Sequence, residues 1–313
     1  MFEDEPNGSQ EDGSSQRFES DGPLLKMIKT EFSPITLETL KLKWPRLSPL
    51  VWIFAGVILV GSWFLFPDGG FDWRNDIGPG ARHWWPAPWE HGLILAPWGA
   101  TLLSPLGGLP DRIATALTNG MSVLVFALVA RKLGGPDWIA IPVLISPPGY
   151  WLFYNGQTEW LILIGLLFFN GLDIAFLMLK PQIALGAVVA RLRRASDQWK
   201  HYLLPSFLLF LCSLIVWPMW PLKILEAAPT LTAGSWNSAL WPWGIPVGIF
   251  LLWYSWKYAD ERWGIAATPF LFPYINLPNY LGLMIALAAR WPKWALIAWA
   301  LMWAVGIGIA LIG

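Results

Sequence analysis

The chain alternates long apolar runs with short polar connections, and the runs carry neither the period of two of a half-buried strand nor a polar helical face. The first, LSPLVWIFAGVILVGSWFLF over 47–66, is long enough as a helix to cross ~30 Å of hydrocarbon. Further runs cover 111–130, 138–153, 159–178, 201–217 and 241–256, then 264–289 and the stretch after Lys293. The pattern predicts an all-α, polytopic transmembrane helix bundle of about eight spans over 47–313. One apolar segment, LILAPWGATLLSPLGGLP, is broken by Pro97, Pro105 and Gly107-Gly108 and reads as a broken or re-entrant helix that neighbouring protein must shield. Pro269, Pro273 and Pro278 interrupt 264–289, leaving it as one kinked helix or a hairpin of two half-spans.

The start of the chain differs. Residues 1–31 carry Glu3, Asp4, Glu5, Glu11, Asp12, Glu19, Asp21 and Glu31 among Gly, Ser, Asn and Gln, so 1–46 is expected to be a disordered acidic tail rather than a signal peptide. Lys41, Lys43 and Arg46 precede the first span, and the positive-inside rule puts the tail in the cytoplasm of a bacterial cytoplasmic membrane protein, with the 67–92 loop outside. Arg191, Arg193, Arg194 and Lys200 form the densest basic cluster, read as a cytoplasmic marker and a contact for anionic lipid heads. On that topology 159–178 runs inward and leaves Lys180 at the cytoplasmic face.

Composition agrees with the pattern. Of 313 residues 55% are hydrophobic and 13% charged, with a mean hydropathy of +0.47, whereas soluble domains carry about 25% charged residues. Basic and acidic residues balance at 21 each, which gives no reason to expect a nucleic-acid partner. The single Cys212 excludes an intrachain disulfide and is expected to be a small buried hydrophobe.

Candidate chemistry concentrates in the 67–92 loop. Asp72 and Asp76 are four apart, on one face if the loop is helical. Carboxylates at a membrane surface can serve as a general base toward a sugar hydroxyl or hold a divalent cation that bridges a lipid phosphate; the plain alternative is a helix cap on a solvated loop. Lys180, with Pro181 and Gln182, can grip a phosphate or simply snorkel at a helix end. Gln157 is an amide in an outward turn, Asn155-Gly156-Gln157. His83 and His91, eight apart without a cysteine, are weak metal candidates. Asp173 lies inside a predicted span, where a carboxylate is functional, a hydrogen-bonded acid or a helix–helix contact.

The order of these pieces resembles a known group. An acidic loop after span one, a segment ending SPLGGLP, the NGQ turn and then LKPQIALGAVVARLRR resemble the GT-C glycosyltransferases that use polyprenyl-phosphate sugars, glycosyltransferase family 87 in particular, over about residues 50–200. The resemblance implies a helix bundle with a cavity on the outer face, a polyprenyl-phosphate-linked sugar as donor, and Asp72, or second Asp76, as the base. It further implies Arg74, Arg82 or His83 on the leaving phosphate, and Gln157 lining the cavity. Lys180 has no evident place in that scheme while it stands on the cytoplasmic side. The chain is shorter than that family leads one to expect and carries few charged groups in its outer loops beyond residue 200, as a shortened or degenerate member would. The alternative is therefore a non-catalytic scaffold or anchor subunit, with membrane lipids and other membrane proteins as partners. A transporter is third, because few ionisable residues lie deep inside the runs.

Overall fold

The computed structural model describes residues 46–312, so the acidic tail lies outside the described residues, in which no strand occurs. In chain order the α-helices are α1 (Pro49–Leu65), α2 (Gly78–Arg82), α3 (Pro97–Gly107), α4 (Asp111–Lys132), α5 (Ala140–Leu144), α6 (Pro147–Asn155), α7 (Glu159–Ile164) and α8 (Leu172–Leu177). They continue with α9 (Ala187–Ala195), α10 (Trp199–Val216), α11 (Trp220–Ala233), α12 (Ile245–Tyr258), α13 (Glu261–Ala267), α14 (Tyr280–Arg290) and α15 (Pro292–Ile312). The all-α expectation holds. Among the described residues, two stretches are helical, long and apolar enough to cross a membrane: Asp111–Lys132, which is α4, and Ala187–Val216, which takes in α9 and α10. α1 is apolar but shorter.

α4 is the central element. Thr115, Thr118, Asn119 and Ser122 are fully buried beside Val123, Phe126 and Ala127, so the helix is enclosed on most sides. Buried polar groups need partners. The Asn119 Nδ2 supplies two, donating to Ser62 Oγ on α1 at 2.9 Å and to the Phe153 carbonyl on α6 at 3.0 Å. α1 lies along α4 and makes the most extensive helix pair of the molecule.

Several expected spans are not single helices. Residues 138–153 divide at Ser146, whose side chain caps α6 by accepting from Gly149 N, with Pro147 and Pro148 in the first turn. The 159–178 run is a hairpin: α7 continues as a 3-10 turn over Gly165–Leu167, and Gly171 at φ +87 admits a reversal into α8. A side chain at Gly165 would meet the Asp173 carbonyl at 2.7 Å, which shows how closely the two arms pass. The 264–289 run likewise resolves into two half-helices, α13 and α14, with 3-10 turns at Thr268–Phe270 and Leu277–Asn279 between them.

The basic cluster is not a surface marker as a whole. Arg191 is fully buried and donates to Asp173, to Glu261 Oε2 at 2.9 and 3.1 Å, and to the carbonyls of Gly165 and Leu166 at 2.8 and 3.0 Å. Arg194 pairs with the other Glu261 oxygen at 2.6 Å, and the Tyr202 hydroxyl donates to Asp173. Asp173 is thus an ion-paired tie between α8, α9, α10 and α13. Cys212, expected to be buried, is exposed on α10.

Candidate functional site

The site begins with glycines. After α1 the chain turns at Gly69-Gly70, and the Gly70 N–H donates to the buried Thr115 Oγ1 of α4 at 2.8 Å. A Cβ on Gly70 would lie 2.6 Å from Gly156 N, so only glycine lets this loop press onto the Asn155-Gly156-Gln157 turn. Gly156, at φ +64, ends α6 in the left-handed conformation, and a Cβ there would meet that of Trp73 at 3.0 Å. Asp72 is thereby set beside Gln157.

Residues Trp73–Ile77 form a π-helical turn that runs into α2. Such turns are uncommon and occur often at functional sites. Asp72 and Asp76 both face one cavity of about 680 Å³, as the four-residue spacing predicts. Asp72 makes no cap hydrogen bond, so the plain reading of it as a helix cap does not apply.

Its partners form a line. Gln157 Nε2 donates to Asp72 Oδ2; Lys180 Nζ donates to Gln157 Oε1 at 2.9 Å and to Glu159 Oε1 at 2.7 Å; and Asn279 Nδ2 donates to the same Glu159 oxygen at 3.1 Å. Glu159 and Asn279 are fully buried. Lys180 therefore stands on the same side as Asp72 and Gln157, against the expectation that a span separates them. The inward span was read as continuous, whereas the α7–α8 hairpin brings the chain back to the level at which it began. Burial raises the Asp72 carboxyl to about 6, Asp76 and Glu159 push the same way, and the Lys180 ammonium and the Gln157 hydrogen bond oppose them. Burial also raises the carboxyl of Asp76.

The other basic candidates are elsewhere. Arg82 is paired with Asp111 at 2.8 Å, Arg74 sits loosely at 3.8 Å from Asp68, and the His83 ring stacks on His91 with centroids 4.1 Å apart. None of the three is among the residues that line the cavity. Its walls include the rings of Phe71, Trp151, Tyr154, Trp236 and Tyr274 and the amide side chains of Asn155 and Asn276. Among the described residues no group of three or more His, Cys, Asp or Glu side chains could hold a metal ion, and the carboxylates in the cavity are two.

Sequence reasoning missed Glu159 and Asn279. Glu159 read as the polar start of a span and Asn279 as a residue in a proline-broken run. The available signal was the acid two residues after Gln157.

No family model, curated protein or solved structure matches the chain.

Proposed function

We propose that the chain is a polytopic glycosyltransferase of the bacterial cytoplasmic membrane that moves a sugar from a polyprenyl-phosphate donor to an acceptor hydroxyl on the outer face. One observation carries the reading: Asp72, Gln157 and Lys180, far apart in sequence, meet in a hydrogen-bonded line that ends at a carboxylate on a cavity wall. About eight membrane crossings, several built from half-helices packed in pairs, accommodate the non-helical backbone within protein rather than lipid.

In this reading Asp72 accepts the proton of the acceptor hydroxyl. The freed oxygen bonds to the anomeric carbon, the bond from that carbon to the phosphate oxygen breaks, and its electron pair leaves on the lipid phosphate. A carboxyl at about 6 is suited to this step, because it is mostly ionised at neutral pH yet more basic than an ordinary aspartate. Two carboxylates and five aromatic rings suit a neutral, hydroxyl-rich molecule, so the cavity is the acceptor's place. The leaving phosphate falls to Arg74, which lies outside the cavity lining and is the loop cation least committed to a partner.

The test is transfer of radiolabelled mannose or arabinose from decaprenyl phosphate in membranes carrying wild type or Asp72→Asn at matched expression. Transfer lost with Asp72→Asn supports the reading; transfer unchanged by it, or wild type inert with both donors, overturns it.

A further inference from the structure

Gln157 is held by two ions that make opposite demands. An ammonium can only donate and a carboxylate can only accept, so the amide can serve both in one orientation alone: Oε1 to Lys180 and Nε2 to Asp72. The orientation is therefore fixed by where the ammonium sits. Lys180 has a long, flexible stem and would otherwise point freely. Glu159, on the first turn of α7 and wholly buried, grips Nζ at 2.7 Å, and Asn279 braces the same carboxylate oxygen from the turn before α14. The second oxygen, Oε2, is buried and has no hydrogen-bond partner. A charge kept in this half-satisfied state costs stability, which a purely structural contact would not require.

We propose that Glu159 is a positioning residue, which pins the Lys180 ammonium on Gln157 Oε1 and so forces the amide to present its N–H to the Asp72 carboxylate. This rests on the reading of Asp72 as the base, and deepens it. Glu159 and Lys180 also act on Asp72 through space, in opposite directions. The other titratable groups facing Asp72 are Asp76, on the same π-helical turn, and Tyr274, across the cavity. Asp111, near Gly69, is neutralised by Arg82.

The test reads Asp72 without requiring turnover. Dicyclohexylcarbodiimide attacks protonated carboxyls, so the pH at which its labelling of Asp72 is half-maximal, followed by mass spectrometry on full-length protein in membranes, reports when that carboxyl loses its proton. Wild type is expected to show a midpoint near 6, Lys180→Met a midpoint higher by at least about half a pH unit, and Glu159→Gln a rise in the same direction, because the freed ammonium and amide no longer favour the ionised Asp72. A lower midpoint in Glu159→Gln would mean that Glu159 acts on Asp72 only through space and would overturn the positioning role. Unfolding would return both variants toward an ordinary aspartate and lower both midpoints, so a rise in both separates the network from damage. Identical midpoints in all three proteins would overturn the proposal. Sugar transfer in the same membranes keeps the two readings apart. Shifted midpoints with full transfer by Asp72→Asn would sink the enzyme and leave the network, while unshifted midpoints with an inactive Asp72→Asn would sink the positioning role alone.

Discussion

Gln157 donates its side-chain amide hydrogen to Asp72 across 85 positions of sequence, where a glycine-rich loop and a glycine-ended helix come into contact. The relationship makes Asp72 the carboxylate that is both held and facing open volume. Asp76 shares the cavity but is not reached by that amide. General-base catalysis contributes about 10²–10⁴-fold, so Asp72→Asn is expected to lower kcat by at least about a hundredfold with little change in KM. Asp76→Asn should lower it less than about tenfold. Radiolabelled transfer at matched expression checks both, and equal losses in the two variants would reassign the base.

The acid side of the pH profile follows from the same carboxyl. The base works ionised, and burial places its titration at about 6. Transfer is therefore expected to climb as pH rises through about 6, and to fall about tenfold for each pH unit below it. Initial rates between pH 4.5 and 8 at saturating donor decide the point. A flat profile across that range would mean that another group takes the proton.

A raised carboxyl is also a statement about stability. The folded chain holds this proton more tightly than the unfolded chain does, so the ionised form weakens the fold at pH values above about 6. The cost builds between the ordinary value of 3.8 and about 6, the interval over which the two states differ, so most of it is gone by pH 4 and the rest below 3.8. That difference is worth about 3 kcal/mol at 1.36 kcal/mol per unit. Asp72→Asn keeps an oxygen for Gln157 and removes the charge. It should raise the thermal midpoint in detergent at pH 7.5, and most of the gain should vanish by pH 4. A lower midpoint at pH 7.5 would show that the fold depends on the charge.

The glycine contacts give a fourth expectation. Gly156→Ala places a Cβ 3.0 Å from that of Trp73 on a backbone at φ +64, which costs about 1–2 kcal/mol for an L-residue. Gly70→Ala drives a methyl into the Gly156 amide. Both variants should keep the helical circular dichroism of the wild type while losing more than about tenfold in transfer, because the loop moves off the turn and Asp72 leaves Gln157. Wild-type transfer by Gly70→Ala would show that the loop need not dock.

Much of the site was readable in the sequence, and the failures share a cause. Asp72, Asp76, Gln157 and Lys180 stood out as polar residues where an apolar chain has little use for them, and the four-residue spacing of the acids was enough to put both on one cavity. The side on which Lys180 lies was misread because apolar length was taken as one crossing, whereas Gly165 and Gly171 let two short helices fold back within about twenty residues. Glu159 and Asn279 were invisible for a different reason. Their contact joins positions 120 apart, and periodicity carries no information about partners at that distance. Arg191 was hidden by company: composition cannot tell which arginine of a basic run faces inward, and its partner Glu261 lies 70 residues away.

That buried arginine supports the last prediction. Arg191 has no exposed surface and holds two carboxylates, Asp173 and Glu261, with two backbone carbonyls. Removing one partner of a buried ionic group leaves the others uncompensated, which typically costs 3–5 kcal/mol, more than most single substitutions. Arg191→Met should therefore lower the thermal midpoint or abolish recovery from detergent. Arg191→Lys should rescue it only in part, since one ammonium cannot reach both carboxylates and both carbonyls as the planar guanidinium does. The informative comparison is the triple variant Arg191→Met with Asp173→Asn and Glu261→Gln, in which no charge of the group except that of Arg194 remains. If charge burial is the cost, the triple variant recovers most of the stability lost by Arg191→Met alone. If it remains as unstable as the single variant, the guanidinium acts by filling space and tying four helices together, and the ion pairs are incidental to the fold.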